Sequence, residues 1–192
     1  MTEQACRGPL LRPEAPRALS ESLARYPPHY DDVFQEVHLR LASAGFATKL
    51  DLAALIGWKH VRNAPWMTSL LVIPQQDIER ATHRAFQAGL SDADRIAALA
   101  PLPGYGGGGA FSSVLLTAWD SRRFGVFDRL ACDRRCAVVA EACTCEWADL
   151  PTYWAHLRIL SGELAATPAA GSVDWTPRRV EMALMNLPPA TA

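Results

Sequence analysis

Apolar positions recur along most of this chain at helical spacing. Val33, Phe34, Val37 and Leu41 share one face of a run that begins at Asp31 and stops at Gly45. Leu52, Leu55 and Ile56 point inward on a short helix over residues 49–58. After Pro74, the stripe Ile78, Ala81, Thr82, Ala85 and Phe86 predicts another helix, with Gly89 as its stop. Ser91 predicts the cap of a helix reaching Ala100, and Asp94 three residues on completes a capping box. In the second half, Ala110, Val114, Leu115 and Ala118 line a helix over 109–119, and a longer one is expected over 128–143. Trp154, Leu157, Leu160 and Leu164 line the next. A loose segment, 165–172, then precedes a last helix carrying Val180, Ala183, Leu184 and Leu187.

No alternating strand run with turn chemistry appears, and no internal repeat. The pattern predicts an all-α protein. Pro9, Pro13, Pro16, Pro27 and Pro28 make residues 1–28 read as an irregular N-terminal arm with a short helix near 18–25. Residues 29–192 read as one helical domain.

Bulk properties narrow the class. A chain of 192 residues suits one domain, and 49% apolar with 20% charged residues is ordinary for a globular protein. No apolar segment approaches the ~20 residues that span a bilayer, so no membrane partner is expected. The first residues lack the basic-then-apolar layout of a secretory signal. Five cysteines, an odd number, predict a reducing, cytoplasmic setting, and a monomer is expected. A net charge of −1 argues against a nonspecific nucleic-acid coat. A smaller contact face stays open: between Asp120 and Arg135, arginines 122, 123, 129, 134 and 135 outnumber aspartates 120, 128 and 133, a local +2.

The strongest chemical signal is Leu102-Pro-Gly-Tyr-Gly-Gly-Gly-Gly-Ala110. Gly104 and Gly106 to Gly109 build a turn whose backbone can approach another surface closely, since glycine has no Cβ and reaches positive φ without penalty. A helix starting directly after it aims its first amides at the turn, which suits an anion such as a phosphate. Asp128 follows Gly106 by 22 residues, at the end of the apolar run Phe124-Gly-Val-Phe127.

These residues resemble the helix–hairpin–helix (Gly-Pro-Asp) superfamily of base-excision DNA glycosylases. Leu102, Pro103, Gly104, Gly106 and Ala110 match its hairpin, placing the helix–hairpin–helix unit at about 91–119. Phe124 to Asp128 matches the run into its essential aspartate, with roughly two residues more between than is usual. Trp58-Lys59-His60-Val61-Arg62, Tyr153-Trp154 and Arg179-Val-Glu-Met-Ala-Leu184 resemble more weakly a bacterial, 8-oxoguanine DNA glycosylase-like branch.

The resemblance implies a helical glycosylase fold and removal of a damaged, modified or mispaired base from double-stranded DNA. Asp128 would be the catalytic residue, and Gly104, Tyr105, Gly106, Gly107, Gly108, Gly109, Lys59 and Arg62 the DNA contacts. A carboxylate beside the anomeric carbon stabilises the oxocarbenium-like sugar and orients the attacking water. It implies no cofactor beyond a monovalent cation that the hairpin carbonyls could hold. Family members that also cut the backbone carry a lysine where Gly108 stands, so a monofunctional enzyme is expected. Lys49 and Lys59 are the only lysines. Lys59 could contact phosphate, read a base edge or serve as a displaced amine.

Other residues have plainer readings. Asp128 could simply cap the helix it begins. Phe46, Trp58, Trp66, Phe111 and Trp119 are candidate base-stacking faces, although buried aromatics are mostly core. Cys132, Cys136, Cys143 and Cys145 lack zinc or cluster spacing, and Cys132, Cys136, Val139 and Cys143 fall on one helical face, which favours core over metal. No histidine pair has ligand spacing. A noncatalytic helix–hairpin–helix DNA-binding protein and an interaction protein keeping the fold alone remain the alternatives. No residue identifies the target base.

Overall fold

A computed structural model describes residues 10–59, 64–106, 109–140 and 150–188. These residues form ten α-helices and one short 3-10 turn. The one strand-like pairing among them is an isolated antiparallel bridge between Leu11 and Val139. The all-α expectation holds.

The proline-rich N-terminal segment contributes a packed helix, α1 (Ala15–Leu23). Pro16 suits its first turn, where an amide would lack a partner anyway. Ala15 and Leu19 are buried, and α1 lies against the last helix, α10 (Pro177–Asn186). Ahead of it, the Glu163 carboxylate accepts from the Leu10 and Leu11 amides at 2.7 and 2.9 Å. This part of the expected arm is therefore tied into the core.

Helix α2 (Asp32–Ala44) buries Phe34, Val37 and Leu41 and ends at Gly45, whose φ of 74° completes the turn. Val33, expected on the same face, is 41% exposed, because the buried stripe is narrower than four residues. Helix α3 (Lys49–Trp58) opens with a complete capping box: the Thr48 hydroxyl accepts from the Asp51 amide while Asp51 accepts from the Thr48 amide. Helix α4 (Ala64–Val72) is absent from the sequence expectations. Its run Trp66-Met-Thr-Ser-Leu-Leu-Val72 has no clear polar face to reveal a period, and Leu71 and Val72 stay exposed. Helix α5 (Gln75–Phe86) buries all five stripe residues. Ser91 caps α6 (Asp92–Leu99) through the Asp94 amide, and its hydroxyl donates to the Asp94 carboxylate.

Helix α7 (Ala110–Trp119) threads the centre: every residue from Phe111 to Ala118 is buried. It packs on α2 and α3. Helices α8 (Arg129–Val138) and α9 (Leu150–Ala165) pack with α1 on α10. The predicted helix over 128–143 stops earlier. Val139 turns extended, with ψ 146°, because the Val138 carbonyl accepts from Arg12 and the Ala140 amide donates to Leu10. Cys143 and Cys145 lie outside the described residues. Cys132 is buried in α8 and Cys136 is half-buried, and each takes part in a disulfide bond. Among the described residues no group of histidines, cysteines and carboxylates is arranged to hold a metal. No helix among them is long and apolar enough to cross a membrane.

The arginine-rich stretch does not open as one basic face. Arg123 pairs with Asp92 at 2.6 Å, Arg134 donates to the Met185 carbonyl, and Arg135 is buried beside His156. Arg122 and Arg129 stay exposed, facing Asp174 and Asp133.

Candidate functional site

The run into Asp128 has no regular secondary structure and is held by side chains from α7 and α9. Phe124, Val126 and Phe127 are buried. The Trp154 indole donates to the Gly125 carbonyl at 2.8 Å, and the Tyr153 hydroxyl to the Val126 carbonyl at 3.2 Å. The Phe127 amide donates to the Ser113 hydroxyl on α7 at 2.9 Å. Gly125 is required by packing: a Cβ there would stand 2.5 Å from Leu157 and 3.0 Å from the Pro177 carbonyl. The chain then turns into α8, leaving Asp128 at the N-cap.

Asp128 divides its carboxylate. Oδ1 accepts from the Leu130 amide at 2.9 Å, which caps α8. Oδ2 accepts from Lys59 Nζ at 2.7 Å. Lys59 sits at the C-terminal end of α3, which carries its side chain to the cleft and leaves it 9% exposed, against 28% for Asp128. Capping and a site role are therefore compatible in one residue. Leu130, two residues on, faces solvent at 41% exposure and does not shield the carboxylate.

These two groups line a cleft of about 250 Å³, bounded also by Tyr26, Tyr30, Trp58, Arg178 and Glu181. Tyr30 meets Tyr26 and Trp58 edge-on, with ring centroids 5.7 and 5.5 Å apart. The Trp58 indole donates to the Tyr30 carbonyl at 2.8 Å, fixing the ring. Beneath this wall Arg178 is buried, its guanidinium 5.2 Å from the Trp58 and Phe34 rings. It pairs with Asp31 at 2.7 Å and with Glu181, and donates to the Tyr26 hydroxyl at 2.8 Å. A planar guanidinium suits this place because it stacks and forks at once. Burial pushes the Glu181 carboxyl up, against the pull of Arg178 and Lys59. Burial likewise raises the Tyr26 hydroxyl.

The glycine turn between α6 and α7 is anchored more firmly than its composition suggests. Gly104 has a φ of 84°, and a Cβ on it would lie 2.7 Å from the Trp66 ring. Gly109 has no room either, since a Cβ would lie 2.7 Å from the Gly104 carbonyl. Gly106 does not take positive φ. Tyr105, expected among the DNA contacts, points inward at 2% exposure and packs on Phe111; an apolar ring beside buried Leu102 belongs to the core. The Tyr105 carbonyl accepts from the Ser112 hydroxyl on α7 and the Gly106 carbonyl from the Gly109 amide, so both have partners. Gly109 gives α7 no side-chain cap. Gly107, Gly108 and Arg62 lie outside the described residues, as do His60 and Val61.

Of the candidate aromatic faces, Trp58 reaches the cleft and Trp66 is 37% exposed over the glycine turn. Phe111 is buried, and Trp119 stacks on Phe86 with Arg95 over its ring. Sequence reasoning missed Tyr26, Tyr30, Arg178 and Glu181. One signal was present: Arg178 and Glu181 stand three apart on a helix whose neighbouring stripe is apolar, an arrangement that buries charge. No family model matches this chain, and neither does any curated protein or solved structure.

Proposed function

We propose that this chain is a DNA N-glycosylase that hydrolyses the bond between deoxyribose and a damaged, modified or mispaired base in double-stranded DNA. The observation that carries the reading is the Asp128 carboxylate: one oxygen fixes it to a helix start while the other faces an aromatic-walled cleft beside a cation. As the base departs, its sugar gains positive charge, and a fixed carboxylate stabilises it without reorganising. The same group can orient or deprotonate the incoming water.

The cleft is smaller than the ~300–1,000 Å³ of drug-sized sites, a scale that favours one planar base over a longer ligand. Tyr30 and Trp58 supply ring faces and edges, which would repay part of the few kcal/mol lost when a base leaves the stack. The uncapped start of α7 and the Gly104 turn supply the phosphate grip, in the manner of a helix–hairpin–helix unit. The net charge of −1 fits a small contact surface rather than a basic coat.

The test uses purified full-length chain on duplexes each bearing one modified or mismatched base, followed by alkali to reveal abasic sites. Cleavage that disappears in Asp128→Asn while duplex binding persists is the expected result. Binding without cleavage would favour a noncatalytic DNA-binding protein. Neither binding nor cleavage would favour a protein that keeps only the fold.

A further inference from the structure

The glycine turn brings no amine toward Asp128, yet the cleft contains one. The chain carries 19 basic residues of the lysine and arginine types, and only Lys49 and Lys59 are lysines. One of those two is placed at the candidate site. An arginine would pair with a carboxylate as well or better, but only a lysine can lose its proton and form a bond to carbon. Lys59 is almost fully enclosed, its Nζ held 2.7 Å from Asp128 Oδ2, and Glu181 of the buried Arg178 cluster borders the same cleft. Lys49 is used differently, donating to the Leu71 carbonyl on the surface at 2.9 Å.

We infer that Lys59 is a nucleophile for the opened sugar of an abasic site in DNA, so that this chain also cleaves the strand there by β-elimination. The inference rests on the glycosylase reading, because base removal produces that sugar in the cleft. The ammonium passes a proton to Asp128, and the free amine adds to the C1′ aldehyde. The aldehyde oxygen leaves as water, taking up the two protons shed by nitrogen, and a protonated imine remains. Asp128, again a carboxylate, takes a proton from C2′. The C–H electron pair forms a C2′=C3′ double bond, the C3′–O bond breaks, and the 3′ phosphate departs with the electrons of that broken bond. Water then hydrolyses the conjugated imine and returns Lys59. No oxidant, reductant or metal is needed.

The test is a duplex with one abasic site, incubated with full-length protein and borohydride, which reduces the imine to a stable amine. A covalent protein–DNA adduct is expected, mapped by peptide mass analysis to Lys59. It should fall to background in Lys59→Arg, which keeps the charge beside Asp128, and persist in Lys49→Arg; circular dichroism reports that both variants are folded. Absence of an adduct with the unaltered protein, or its survival in Lys59→Arg, overturns the inference. The peptide map decides the matter even if a variant misfolds. Base release from the modified duplexes is scored separately with alkali. Release without any adduct removes the Lys59 role and leaves the glycosylase standing, whereas an adduct at Lys59 without release supports the lyase step and counts against base removal.

Discussion

Lys59 Nζ lies 2.7 Å from Asp128 Oδ2, although 69 positions separate the two residues in sequence. The pair forms because α3 ends at the cleft just where the buried run from Phe124 delivers Asp128 to the start of α8. Its energetics can be read by substitution.

Asp128→Asn keeps an oxygen for the Leu130 amide but leaves the enclosed Lys59 without its counter-charge. A stability loss of about 1–3 kcal/mol is expected, since one partner of a mostly buried pair is orphaned. Asp128→Ala should lose roughly 1 kcal/mol more, the usual worth of an N-cap. Denaturant unfolding of the two variants measures the difference; equal losses would mean that Oδ1 contributes nothing as a cap.

Gly104→Ala and Gly106→Ala should separate. At Gly104 a Cβ meets positive φ and the Trp66 ring at 2.7 Å, whereas at Gly106 the nearest atom is the Ala100 carbonyl oxygen at 3.3 Å. The first should cost about 1–3 kcal/mol, the scale of local backbone strain, and the second less than about 1 kcal/mol. Thermal unfolding gives the stabilities. On the glycosylase reading, duplex affinity should fall with Gly104→Ala as well.

Arg178→Met should be the most damaging single change in the cluster. It leaves Asp31 and Glu181 without the cation between them, a loss on the order of 3–5 kcal/mol for a broken buried pair. Trp58 rests on the same guanidinium, so its fluorescence should shift in the folded fraction that survives. An unshifted spectrum would mean that the aromatic wall stands without Arg178.

Alkaline titration offers a test without substitution. Tyr26, Tyr30, Tyr105 and Tyr153 all lie above the ordinary value of 10.0, each chiefly because burial opposes the phenolate. A group raised in the folded state contributes its stability fully below the unfolded value and loses it as pH climbs toward the folded one. Stability should therefore be unaffected by these groups up to about pH 10 and decline above it. Phenolate absorbance should rise together with loss of helical circular dichroism. Tyr30, 42% exposed, can ionise in the folded chain, so formation of more than one phenolate per molecule while the chain stays fully helical would contradict the burial of the other three.

Local chemistry made much of this legible. Gly45 as a C-cap, Ser91 as an N-cap and the five-residue stripe of α5 depend on residues near one another, so periodicity and capping suffice. The stop of α8 was hidden because Arg12 and Leu10, far upstream, claim the backbone of Val138 and Ala140. Asp128 was visible as an acid after an apolar run. Its pairing with Lys59 was not, because nothing in either neighbourhood records the other. Tyr26 and Tyr30 were lost in a proline-rich stretch that looks irregular, and long-range bonds, from the Trp58 indole to the Tyr30 carbonyl and from Arg178 to the Tyr26 hydroxyl, give them a place.

Two adjacent serines on α7 carry a wider implication. Ser112 secures the glycine turn through the Tyr105 carbonyl, and Ser113 secures the approach to Asp128 through the Phe127 amide. One helical step, rather than the tally of intervening residues, thus sets how far apart the glycine turn and the acid stand. Additional residues in the bend over 120–123 can be absorbed there without altering that separation, whereas a single insertion between Ser112 and Ser113 would swing the two anchorages to different sides of α7.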